Sequence, residues 1–368
     1  MSSNPTPVKI FPKLAGWLVA LLLGMLLAAC SDNPGTSTVS PTSASAPASN
    51  PANPPAAPTA APSNTGLPYD CTKVFCFGLA QEPVGLINSK FDPANLVDRP
   101  SLQISRQVYE TLFEFKPSDM QYNNSAVQKY PPVESEDGLT ITIRIGKGLQ
   151  FSDGTPLNAE AIKFNFDRWS DPGNLYHKGD FQTWGTYFGG FPGNLAGVEA
   201  DTANNKVIIR LKQPMGSFYQ VLSMPQFGIV APSAFNNDTG EFERNIGSGL
   251  YKIDSMAREP NKYVALKENR NYFIQRYAED DPNTPYVKSP VIVARVLKEN
   301  QDGLEELRRG SIAATDKIRP EEVAAASTAT DLQLLDRKPL NLAFLGMDVT
   351  RLPFSNSSVR QAFALAID

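Results

Sequence analysis

A mixed α/β fold is what this sequence predicts, and three observations carry the prediction. From residue 70 onward, apolar runs with a two-residue period are interspersed with runs at three- and four-residue spacing. No unit recurs at a period of roughly 20 to 50 residues, so the chain is not a solenoid. About 300 residues follow the first 69 of the 368, enough for two lobes with cores of their own.

The elements follow in order. KVFCFGLA (73–80) reads as a mostly buried first strand. Ile104, Val108, Leu112 and Phe115 lie four, four and three apart, which predicts one helix starting near Ser101. LTITIRI (139–145) alternates strictly, with Leu139, Ile141, Ile143 and Ile145 on one face, as in a half-solvated antiparallel strand. The chain then turns at Asp153 and Gly154 and enters a helix capped by Asn158, with Ile162, Phe166 and Trp169 facing inward. KVIIRL (206–211), YVALKE (263–268), PVIVARVLK (290–298) and LQLL (332–335) read as further strands, and DGLEELRR (302–309) and PEEVAAA (320–326) as short helices. The last helix has Val359, Ala362, Phe363, Ala366 and Ile367 on one face and Asn356, Ser357 or Ser358 as its cap, with no exit signal before Asp368.

The N-terminal 69 residues are of another kind. Lys9 and Lys13 precede a 16-residue apolar run (14–29) that ends in small residues, the pattern of an export signal, slightly short for a membrane span. Residues 33–69 contain no Asp, Glu, Lys or Arg and are nearly all Pro, Ala, Ser, Thr and Asn, which predicts an extended, solvated tether. LLAAC (26–30) resembles the bacterial lipobox, and that resemblance implies lipidation of Cys30. The chain is then anchored to a membrane surface without crossing it.

Catalytic chemistry is poorly supplied. The single histidine, His177, lies in GNLYHKGDF and reads as an exposed loop residue; metal sites built on imidazole or thiolate lack ligands, and no metal or cofactor is expected. GSG (247–249) is too short for a phosphate loop. The net charge of −4 comes without a basic run, which argues against nucleic acid as partner. Carboxylates are plentiful, so a glycosidase-like pair stays open. With Cys30 assigned to lipid, Cys71 and Cys76 remain, and an oxidising compartment allows a disulfide if the chain turns near Lys73; a reduced packed pair is the alternative.

A series of segments then resembles one family in order: AQEPVGLINSKFDPAN, ISRQVYETLFEF, DGLTITIRIGKGLQFSDGTPLNAEAIKFNFDRW, VIIRLKQPMGSFYQVLSMPQFGIVAPSAF, GSGLYKI, ALKENRNYF, LEELRRGSIAATDKI and NLAFLGMDVTRLPFSNSSVRQAFALAID. The chain resembles the extracellular solute-binding proteins of family 5, receptors of peptide, nickel and related ABC importers. One departure is VQKYPPVES from Val127, where the family carries a tryptophan-containing segment.

The resemblance implies a periplasmic-binding-protein-like type II bilobed fold, closing over an oligopeptide or dipeptide and delivering it to ABC permease and ATPase subunits without being an enzyme. It implies residues 1–30 as lipoprotein signal, 31–69 as tether, and 70–341 as lobe I (70–105 and 196–341) with an inserted subdomain (106–195). Residues 342–368 would open a second lobe that normally continues for well over a hundred residues, so a C-terminally truncated product is expected. Carried over by position, Val97, Asp98, Arg99, Tyr176, Gly249, Leu250 and Phe344 would face the ligand. Such a protein works extracytoplasmically, lipid-anchored at the outer face of the cell membrane or periplasmic. The alternatives are a secreted surface hydrolase with paired carboxylates, or an inactive truncated product.

Overall fold

Parallel pairing on both sides of the first strand organises the body. The computed structural model describes residues 67–87, 91–116, 121–124, 127, 128, 130–259, 262–272, 287–335 and 345–367. The expected export signal, Cys30, Phe344 and nearly all of the expected tether lie outside them. The strands in chain order are β1 (Phe75–Leu79), β2 (Phe113–Lys116), β3 (Gln121–Asn124), β4 (Val133–Glu134), β5 (Thr140–Arg144), β6 (Leu195–Asp201), β7 (Lys206–Leu211), β8 (Tyr251–Glu259), β9 (Tyr263–Glu268), β10 (Val291–Val296) and β11 (Ala314–Thr315).

A five-stranded sheet runs in the order β11-β1-β10-β9-β8. β1 is parallel to β10, with Cys76 opposite Val293, and to β11, with Phe77 opposite Ala314. β9 is antiparallel to both its neighbours. Alternation gives the sheet two covered faces. Leu79 and Ala294 join the large core, whereas Cys76 and Val293 join a smaller cluster with Tyr263, Ala265, Leu297 and Ile312.

A second sheet, β4-β5-β7-β6, is antiparallel throughout. Ile141, Ile143, Val207 and Ile209 are buried on its inner face, as the strict alternation requires. It spans Val133 to Leu211, so a subdomain boundary between residues 195 and 196 would fall inside β6. Against this sheet packs the helix Ala159–Ser170, where the Asn158 side chain accepts from Ala161 N at 3.0 Å and Ile162, Phe166 and Trp169 are buried.

Two sequence expectations fail. The helix expected to run through Ile104, Val108, Leu112 and Phe115 is Arg99–Val108; Leu112 is buried beyond its end and Phe115 belongs to β2. Tertiary pairing ends it: Gly249 N donates to Val108 O at 2.9 Å, and Ile229 N to Glu110 O at 2.8 Å. Residues 332–335 form no strand, and Leu334 and Leu335 stand exposed. Apolar content alone does not make a strand.

The closing helix, Ser357–Leu365, is capped by Asn356, whose side chain accepts from Ser358 N at 2.9 Å. Phe363, Leu365 and Ile367 are exposed. Among the described residues no helix is long and apolar enough to cross a membrane.

Candidate functional site

β1, β10 and β11 point the same way, so their C-terminal ends share one edge, the place where open α/β sheets bind ligands. Hydrogen bonds from backbone and side chains tie that edge together. Thr315 Oγ1 donates to Gly78 O at 2.8 Å, Leu297 N to Leu79 O at 3.0 Å, and Ala80 N to the Asp316 carboxylate at 3.0 Å. Arg99 Nη2 approaches the other Asp316 oxygen at 3.9 Å, and its side chain is 75% exposed. A long contact on an exposed guanidinium contributes little to stability and leaves the group available to an anion.

Arg99 thus reaches this edge, and Val97 and Asp98, just before it in the chain, have different tasks. Asp98 caps the helix Arg99–Val108: its Oδ1 accepts from Ser101 N at 2.9 Å and its Oδ2 from Gly85 N at 3.3 Å. Its carboxylate is occupied by backbone on both sides. Val97 is 71% exposed and offers apolar surface beside it.

Sequence reasoning missed Glu82, three residues past the end of β1. Its Oε1 is out of solvent and has no hydrogen-bond partner among the described residues. A shielded carboxylate oxygen without a donor is costly unless something cationic or N–H-bearing arrives. The only hint in the sequence is position, an acidic residue shortly after a buried strand and directly before Pro83.

The other expected residues lie elsewhere. Gly249 and Leu250 sit at the far end of the helix Arg99–Val108, about 15 Å from its cap. A Cβ on Gly249 would stand 2.5 Å from Gln107 O, so glycine there lets its backbone meet that of the helix end. Asn269 Nδ2 donates to Gly249 O, and Asn269 N to Leu250 O, each at 2.8 Å. Tyr176 packs between Phe164 and Phe235, with ring centroids 4.9 and 5.5 Å away.

His177, expected in the open, is half-buried: its Nδ1 is 2.7 Å from Arg168 O and its ring lies 4.2 Å from that of Phe181. Cys71 and Cys76 are joined by a disulfide across 5.4 Å between Cα atoms, and Lys73 N turns back to Asp70 O at 2.9 Å. No group of three or more His, Cys, Asp or Glu that could hold a metal occurs among the described residues.

Comparison with known proteins gives this geometry its context. Residues 125–368 match the family described as bacterial extracellular solute-binding proteins, family 5 Middle. The glutathione-binding protein GsiB of Escherichia coli O1:K1 / APEC is 29% identical over 297 residues, 80% of this chain and 53% of that protein. The chain therefore spans about half the length of the curated relatives it matches. The dipeptide binding protein from Pseudoalteromonas sp. SM9913, solved with Met-Leu, superposes with a TM-score of 0.65 at 18% identity, over 80% of this chain and 57% of that one. HbpA2 from Haemophilus parasuis gives 0.64 at 23%, with the same shares. These structures give the fold, that of the bilobed periplasmic binding proteins. Their family consists of binding proteins, not enzymes, and the chain belongs to it: this is a bacterial extracellular solute-binding protein of family 5.

Proposed function

We propose that this chain supplies the ligand-capturing first lobe of an ABC importer's binding component, and that its solute is a short peptide. The observation that carries the reading is the pairing of opposite demands on one edge. Glu82 Oε1 has no hydrogen-bond partner among the described residues, and Arg99 has an exposed guanidinium. A peptide brings one ammonium and one carboxylate, and would answer both by charge-assisted hydrogen bonds. Similarity to a glutathione-binding and a dipeptide-binding protein supports the same class of solute.

In this reading a second lobe closes over the edge and expels water, which strengthens both contacts, and the closed form is passed to a permease whose ATPase subunits supply the energy. Residues 70–341 act as lobe I with an inserted subdomain that carries the whole second sheet to Leu211, 342–368 begin the second lobe, and Phe344 faces the solute from that side. Lipid on Cys30 and the tether 31–69 hold the body at the outer face of the membrane. The lipobox-like LLAAC supports this placement.

Thermal melting of the purified protein with glutathione, Met-Leu and single amino acids tests the proposal. Tm rises with glutathione or dipeptide concentration as RT ln(1 + [L]/Kd) requires, and the rise disappears in Glu82→Gln combined with Arg99→Ala. An identical Tm across the whole panel would sink it.

A further inference from the structure

We infer that Asn95 is a positioning residue for the ligand edge, latching the segment that carries Val97 and Arg99 onto the loop 171–181. The inference rests on the reading of that edge given above, and it starts from an oddity. Asn95 is exposed, yet its amide is used at both ends: Nδ2 donates to Lys178 O at 2.7 Å and Oδ1 accepts from Phe181 N at 3.5 Å. Core packing does not require an exposed side chain to bridge two backbone groups more than 80 residues later in the chain.

The receiving loop is built to accept it. A Cβ on Gly179, at φ 123°, would stand 2.2 Å from Asn95 Oδ1, so only glycine permits the approach. Phe181 holds a left-handed backbone at φ 40° while its ring is buried, 5.5 Å from the Arg168 guanidinium carbon. A bulky residue keeps that conformation only where its surroundings over-determine it.

Three ties therefore run from the helix Ala159–Ser170 and its following loop to residues 92–95: Arg168 to Asp92, Lys178 to Asn95 and Phe181 to Asn95. Asn95 is the last of these before the chain is released to the edge, three residues ahead of the Asp98 cap and four ahead of Arg99. Without it, only buried Leu96 holds the chain between the Asp92 pair and the Asp98 cap, beside which Val97 and Arg99 stand.

Asn95→Ala removes the latch at an exposed position and leaves the core untouched. Asn194→Ala is the matched control, since Asn194 likewise makes two side-chain bonds to backbone, both to Gln213 at 2.9 Å. Hydrogen exchange is read at the amides of Leu96 and Ser101, which bond to Pro93 O and Asp98 Oδ1. Exchange there rises about tenfold in Asn95→Ala and stays at the native rate in Asn194→Ala. Glutathione affinity, by calorimetric titration, falls about tenfold in Asn95→Ala with no greater loss of Tm than the control shows.

Native exchange at both amides in Asn95→Ala overturns the latch, whatever the titration gives. Faster exchange in a protein that binds neither glutathione nor Met-Leu upholds the latch while the peptide reading fails. The two conclusions are thereby separated.

Discussion

Arg168 Nη1 and Nη2 lie 2.8 and 3.0 Å from the two carboxylate oxygens of Asp92, a side-on pair formed across 76 residues of sequence and wholly inside the core. The guanidinium also donates from Nε to Asn165 Oδ1 at 3.3 Å and lies 5.1 Å from the Phe235 ring centre. Burial pushes the nearby Tyr109 hydroxyl well above the usual phenol range; the Asp92 charge adds to this and Arg168 opposes it.

Replacing Arg168 with Met leaves the Asp92 carboxylate buried and unpaired, and unfolding free energy falls by about 3–5 kcal/mol. The double change Asp92→Leu with Arg168→Met recovers part of that loss, because no charge remains to be solvated. Urea midpoints of the three proteins at constant m-value check both statements.

Asp98 caps a helix and Arg99 is the proposed anion contact, and single substitutions separate the two roles. Asp98→Ala removes a helix cap and costs about 1 kcal/mol. Arg99→Ala stays within about 0.5 kcal/mol of native stability while weakening glutathione or dipeptide binding at least tenfold, roughly the value of one charge-assisted contact. Denaturation curves and calorimetric titration of the same two preparations give the comparison.

Gly249 is held by close approach. Gly249→Ala forces a methyl against Gln107 O and the Val108 carbonyl carbon, 2.5 and 2.7 Å away, and neither backbone atom can move freely. A loss of at least about 2 kcal/mol is expected. A native melting curve for Gly249→Ala would show that the turn yields.

Alkaline pH acts on the segment entering β1. Tyr69 donates its hydroxyl proton to Asp254 Oδ2 at 2.8 Å, and Lys267 Nζ stands 3.0 Å from the same oxygen. Burial, then the Asp254 bond, raises the Tyr69 pKa; the Asp254 bond raises that of Lys267. Both folded values exceed the unfolded ones, so the contribution is full below about pH 10 and is lost as pH climbs through the folded values. Limited proteolysis near residue 69 between about pH 9 and 11 should accelerate with rising pH. Tyr69→Phe should show no hydroxyl-linked component.

Legibility in the sequence followed how local each cause was. Strict alternation placed β5, and Asn158 with Ile162, Phe166 and Trp169 placed the helix against the second sheet, because a strand or helix period needs no distant partner. Leu112 and Phe115 were misplaced because the carbonyls of Val108 and Glu110 are taken by Gly249 and Ile229, more than a hundred residues later. The cap at Asp98 was readable, with Pro100 in the first turn behind it, but a cleft role assigned by position alone obscured it. Glu82 could not be found locally, since its missing donor is a property of the packed edge.

The chain enters the five-stranded sheet at the end opposite the shared C-terminal edge of β1, β10 and β11, through the Asp70 turn and the disulfide at Cys76. Tension arriving from the N-terminal side is therefore delivered by a covalent bridge into β1 itself, bypassing residues 72–75. There it meets β10 and β11 along the strand axis, where hydrogen bonds share the load side by side instead of unzipping one at a time. A pull on the N-terminal side of this body is, by this construction, met in shear by the two parallel ladders of β1.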